Sequence, residues 1–234
     1  MNHESLDYSQ SQAFIQAKKD AVALMAQAHD PFHDENHILE VASSVHDIYD
    51  SLPEYEKKSV DLEGVELAAL YHDTSRIRIG ANLLMVPFFD EKYSGDIAAS
   101  SLPKVGYSSE RAEEVKGIIR GHAKIGGIGR HDNINSQILS DADKLQVYNP
   151  ERFERGLVRF EAEMFPKHLL NITVIALLTM RNKIPKLIHF SKSKELQERY
   201  YEELKQYLKA NRSRLDKLLY KPISKRLYKS FQIS

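Results

Sequence analysis

Along nearly the whole chain apolar residues recur at spacings of three and four rather than two, and this pattern predicts an all-α protein. Ala13, Phe14, Ala17, Ala21, Leu24, Met25 and Ala28 form one stripe. A second runs through Ile38, Val41, Ala42, Val45 and Ile48 and closes before Leu52-Pro53; a third, from Val65 to Tyr71, ends at His72-Asp73. Further helices are predicted over Asp96 to Leu102, Ser109 to Arg120, Ile134 to Lys144, Glu151 to Met164 and Lys167 to Asn182, with one long charged helix from Lys192 to about Tyr220. Ser108-Ser109 ahead of Glu110 and Glu113 supplies capping chemistry, and Asp34 is a candidate N-cap for the second helix. Pro150, Pro166 and Pro185 each break or start a helix, and Gly126, Gly127 and Gly129 mark a loop. Residues 74 to 95 have no clean period and read as a long loop or an insertion over the site.

Composition narrows the picture. With 234 residues, 42% hydrophobic and 28% charged, the chain has the make-up of a globular protein able to bury a full core. It divides into a helical domain over residues 1–165 and a C-terminal helical extension over 166–234. No apolar stretch is long enough to span a bilayer. The start MNHESLDYSQ lacks the charge and apolar pattern of a secretory signal, so the cytoplasm is the expected location. Lys and Arg total 33 and Asp and Glu total 33, so overall charge makes no case for nucleic acid. With no Cys, any metal must be held by imidazole and carboxylate.

That restriction directs attention to His72-Asp73, where a helix end brings an imidazole and a carboxylate within reach of one ion. Alone, the pair reads better as a C-terminal helix cap. Its company changes the balance: His37 lies upstream and Asp141 downstream, giving an ordered series of His, His-Asp and Asp on three apolar segments. Asp141 and Asp143 flank one Ala, so on a helix they point about 200° apart and only one can face a shared ion.

The stretches HDENHILEVASSV (33–45), LAALYHDTSR (67–76), IIRGHAK (118–124) and ILSDADKLQ (138–146), in this order, resemble the HD superfamily of metal-dependent phosphohydrolases. The likeness spans roughly residues 20 to 160. It implies a compact helical bundle holding a divalent ion, Mn, Mg or Fe in the first place and Ni, Co or Zn as further occupants, on His37, His72, Asp73 and Asp141. Asp143 is left to orient a ligand or to cap a turn. The resemblance also gives His122 a role facing substrate or a second ion, and Asp73, Arg76 and His122 form the expected catalytic set. His33, Lys124, Lys144 and Arg155 are candidates for substrate contact, with a turn residue as the alternative for His33 and a salt bridge for Arg155.

Two departures from the family pattern bear on mechanism, and one is that Glu91 to Gly95 carry no His where several relatives place an additional one, which argues against a two-metal site. Relatives that use an acid soon after the His-Asp pair carry a carboxylate where this chain has Thr74, Ser75, Arg76 and Ile77, which leaves Glu40 or Asp143 to be considered as the acid. The expected activity is hydrolysis of a nucleotide or another small phosphate ester. The alternative is an HD-fold module that binds metal or nucleotide without turnover. The stripe Leu196, Tyr200, Leu204, Tyr207 and Leu208 packs on the body or on a second copy of the chain, so a homodimer is compatible with the sequence.

Overall fold

The structure, a computed structural model, describes residues 11–28, 30–79, 86–122, 133–162, 165–181 and 183–233, and these residues are helical with no strand. Helix α1 (Gln12–Met25) is followed by α2 (Glu35–Asp50), a single turn α3 (Glu54–Lys57) and α4 (Leu62–Tyr71). Then come α5 (Arg76–Ile79), α6 (Val86–Ser101), α7 (Ser109–His122) and α8 (Ile134–Leu145). The remainder is α9 (Pro150–Ala162), α10 (Lys167–Arg181), α11 (Ile184–Leu187), α12 (Ser191–Ala210), α13 (Arg212–Leu218) and α14 (Lys221–Ser230).

At the centre α2, α4, α7 and α8 pack on one another, with α1 against α4 and α6 alongside α7. The sequence explains why α4 takes the middle. From Leu67 to Tyr71 it is apolar on every side and wholly buried, as a helix must be when neighbours cover all of its faces. Tyr71 ties it to α1 through its hydroxyl, which donates to Asp20 Oδ2 at 2.8 Å. Two caps set the entry angles of the helices that carry the site. Asp34 accepts the His37 N–H at 2.9 Å to start α2, and Asp61 accepts the Gly64 N–H at 3.1 Å to start α4.

Two elements differ from the sequence expectation. Helix α6 begins at Val86, ten residues before the predicted start at Asp96, so the segment expected to be loop is partly helical. Its length lacks an amphipathic period because α6 packs on several neighbours, including α4, α5 and α7. The long C-terminal helix is broken at Asn211, whose side-chain amide donates to the Tyr207 carbonyl at 3.1 Å and competes with helix continuation. A further break at Leu219 and Tyr220, both extended, precedes the Pro-initiated α14.

The C-terminal helices dock on the body, α12 against α8 and α9 and α14 against α10. Leu204, Leu208 and Leu215 are fully buried there, and the side chains of Arg181, Tyr201 and Phe231 stack in one layer.

Candidate metal centre

Four elements deliver side chains to one buried point. His37 comes from the first turn of α2, His72 and Asp73 from the end of α4, His122 from the last residue of α7 and Asp143 from the last turn of α8. His37 Nε2 lies 3.0 Å from Asp73 Oδ2 and 3.5 Å from Asp143 Oδ1. His72 Nε2 lies 3.2 Å from Asp73 Oδ2 and 3.6 Å from Asp143 Oδ1. Although these atoms crowd together, His37 Nε2, His72 Nε2 and Asp73 Oδ2 are buried and make no hydrogen bond among the described residues. A cluster of buried lone pairs left in this state is costly unless something electropositive sits among them.

The spacing suits a small divalent ion. Two donors bound side by side at about 2.1 Å stand roughly 3.0 to 3.4 Å apart in octahedral or tetrahedral arrangements. A second group of three, His33, His37 and Asp73, has its donor atoms within 4.8 Å of one another and shares His37 and Asp73 with the first site.

Backbone carbonyls fix which nitrogen faces inward. His72 Nδ1 is 2.8 Å from the Ala69 carbonyl, and His122 Nδ1 bonds in the same way to Ile119. In both cases the carbonyl three residues earlier takes the Nδ1 proton, which leaves Nε2 with its lone pair directed away from the helix. The His122 ring packs edge-on against His72 at a centroid distance of 5.5 Å.

The charges are strongly coupled. Burial alone would raise the Asp73 pKa, but His72, His33 and His37 hold it well below the carboxylate range. Burial likewise opposes charge on His72, yet Asp73 and Asp143 hold its pKa well above the usual imidazole value, so a bound ion would take the place of a proton on Nε2. His122 goes the other way: burial and the neighbouring His72 push it down to about 4, so it is neutral near pH 7.

Asp141, expected among the ligands, is not brought to this point. Its fully buried carboxylate accepts the backbone N–H groups of His189 at 2.9 Å and Phe190 at 3.0 Å, and lies 2.8 Å from His189 Nδ1. It caps the start of α12 from another helix, because Phe190 at the cap position has no side-chain acceptor of its own. Asp143, two residues on, occupies the place expected for Asp141.

The other candidates fall into distinct settings. His33 is partly exposed, with Nδ1 2.9 Å from Asp30 Oδ2 and Nε2 4.0 Å from Asp73 Oδ2. Arg76 is buried and paired with Asp30 at 3.2 Å. Arg155 is held by both oxygens of Glu40, at 2.7 and 2.9 Å, and by Asp34 at 3.2 Å, so a salt bridge occupies it and also engages Glu40. Lys144 bonds back to Ser140 on its own helix. Lys124 lies outside the described residues.

Arg152, three residues before the sequence candidate Arg155, is a buried cation coupled to the cluster. It donates Nε to the Phe32 carbonyl at 2.8 Å, and burial lowers its pKa against the opposing pull of Asp143 and Asp73. Arg152 stands one residue before Phe153 and four before Gly156, on the buried face of α9, and the apolar stripe Phe153, Leu157 and Phe160 is the signal for that face.

This geometry, two imidazoles and two carboxylates gathered by helix ends in an all-α bundle, defines an HD-type site. Residues 34–148 match the family model of the HD domain, so this segment is an HD domain. No curated protein matches the chain significantly. Among solved structures it is similar to a predicted HD superfamily hydrolase from an uncultured Thermotogales bacterium, with a TM-score of 0.52 and 17% identity. That likeness covers 86% of this chain and 91% of the other, so the shared fold extends beyond the matched segment.

Proposed function

We propose that the chain is a metal-dependent phosphohydrolase acting on a small phosphate ester, with His37, His72, Asp73 and Asp143 holding the ion. The observation that carries this reading is the convergence of buried donor atoms without hydrogen-bond partners among the described residues, supported by the match of residues 34–148 to the HD domain. When bound, a divalent ion supplies a Lewis acid beside the phosphoryl group and acidifies water. The protein's own groups provide the rest. The Nδ1 bonds of His72 and His122 keep Nε2 inward without reorganisation, and Arg152 contributes positive charge against the phosphate oxygens. His33, partly exposed and backed by Asp30, is the group positioned to exchange a proton with the reacting oxygen. It thereby stands in for the acid that Thr74 to Ile77 do not supply. The family resemblance favours a nucleotide or a comparable small ester as substrate.

Metal analysis and a screen of phosphate esters test the proposal. Wild type should retain a divalent ion and hydrolyse at least one ester; Asp143→Ala should lose both. Arg152→Gln should keep the ion but lose roughly a hundredfold in turnover, the usual effect of deleting one charge-stabilising group. A metal-loaded wild type that binds phosphate esters and turns none over would instead establish a binding module.

A further inference from the structure

Beside the cluster, between α9, α10 and the turn from Asp30 to His33, lies a cavity of about 230 Å³. Its walls are mainly Phe32, Phe153, Phe160, Leu170, Leu177 and Met180, with Asp30, His33 and Arg152 also on the lining. It therefore shares His33 with the wall of the metal centre and is otherwise mainly apolar. The few polar side chains along it are already engaged. Asn149 donates to Gln146 Oε1 at 2.8 Å and accepts the Glu151 N–H at 2.9 Å, Gln146 donates to Ser44 at 2.9 Å, and Thr173 donates to the Leu169 carbonyl at 3.1 Å. A nucleobase placed there would leave its own donors and acceptors unmatched at a cost of kilocalories. A hydrocarbon would not.

The geometry points to this cavity as the site for the apolar alcohol portion of the substrate, a phosphate ester with its phosphate at the cluster and a hydrocarbon or aryl group of about six to nine carbons between α9 and α10. Size sets the range: an apolar cavity of about 150 Å³ takes benzene, so 230 Å³ holds about half as much again. A mainly apolar lining that borders the cluster through His33 matches an amphiphile that has charge at one end only. Hydrolysis breaks the bond between phosphorus and the alcohol oxygen; water supplies the oxygen added to phosphate, and a proton from that water ends on the departing alkoxide to give the free alcohol. The assignment rests on the phosphohydrolase reading for the identity of the phosphate, but not for the occupancy of the cavity.

Hexyl and ethyl phosphate separate these points, since their leaving groups are chemically alike and differ only in length. Each buried methylene is worth roughly fourfold, so the metal-loaded protein should show kcat/KM at least tenfold higher for hexyl phosphate, and higher for hexyl phosphate than for AMP. Ala176→Phe, at an exposed position of the cavity rim, should bring the hexyl-to-ethyl ratio toward one, with a thermal melt checking that the variant is folded. In parallel, 1-hexanol titrated into wild type should shift the Met180 methyl resonance and should fail to do so in Ala176→Phe. Equal kcat/KM for the two esters with no hexanol shift would overturn the cavity assignment while leaving the hydrolase reading intact. A hexanol shift without hydrolysis of any ester would do the reverse.

Discussion

One methylene-scale decision, which of two aspartates two residues apart faces the histidines, determines the composition of the donor set. The approximate 200° between Asp141 and Asp143 on a helix was legible from spacing alone, and so was the need for different roles. Which carboxylate turns inward was not. That depends on the backbone N–H groups of His189 and Phe190, far along the chain, which engage Asp141 from outside the bundle. The two residues should therefore fail differently. Asp141→Ala leaves those N–H groups unpaired and should cost about 3 kcal/mol of stability, measured by urea denaturation, while metal content is retained. Loss of the ion in a folded Asp141→Ala protein would return that residue to the ligand set. His37 and the His72-Asp73 pair were legible because helix ends are where polar groups can follow an apolar run. Arg152 and Arg155 were not separable by sequence, since only the Glu40 partner reveals that Arg155 is engaged.

Among the elements, α4 shows most directly how local chemistry sets up the site at its far end. Asp61 caps it, and Arg111 from α7 clamps the same carboxylate, with Arg111 Nη2 2.7 Å from Asp61 Oδ1. A side chain on Gly64 would meet that carboxylate, so glycine is required there for a close approach rather than for a turn. Burial pushes the Asp61 pKa up, but Arg111 and the Gly64 N–H outweigh it and hold the carboxyl below its ordinary value. The stabilisation is consequently complete above the unfolded value of about 3.9 and is lost as pH falls through the lower folded value. Since the group is about one-third exposed, the cap rather than the ion pair dominates. Asp61→Ala should cost about 1 kcal/mol at pH 7 in urea melts, and the gap to wild type should narrow toward pH 3. A gap that is unchanged at pH 3 would show that the charge of Asp61 contributes nothing. Helices with a clean stripe and a cap, such as α2 and α8, were readable to within a few residues. The α6 start and the Asn211 break were not, because the first lacks a period and the second turns on one side-chain bond.

For the whole molecule, a single hydrophobic core runs from Phe14 in α1 to Phe231 after α14. Leu204, Leu208, Leu215, Leu227 and Phe231 are fully buried, and at about 2 kcal/mol each they amount to roughly 10 kcal/mol, comparable with the net stability of a domain. The extension expected over residues 166–234 is thus packed into the same core as the preceding helices. Scanning calorimetry of the full chain should give one transition, and a chain ending at residue 165 should give no cooperative melt. Two resolved transitions, or a cooperatively folded truncation, would show that the two parts fold independently.

The donor atoms of the centre and the walls of the neighbouring cavity come from different stretches of chain. The former fall almost wholly within residues 34–148, whereas α9 and α10 provide most of the latter. On the substrate assignment proposed above, exchanging α10 for a sequence of different bulk would change which ester fits and leave the donor set in place, with the Asp141 tether still anchoring the start of α12. Relatives alike over the HD segment can accordingly share a reaction and diverge in diet, and their α10 equivalents are where that divergence would be written.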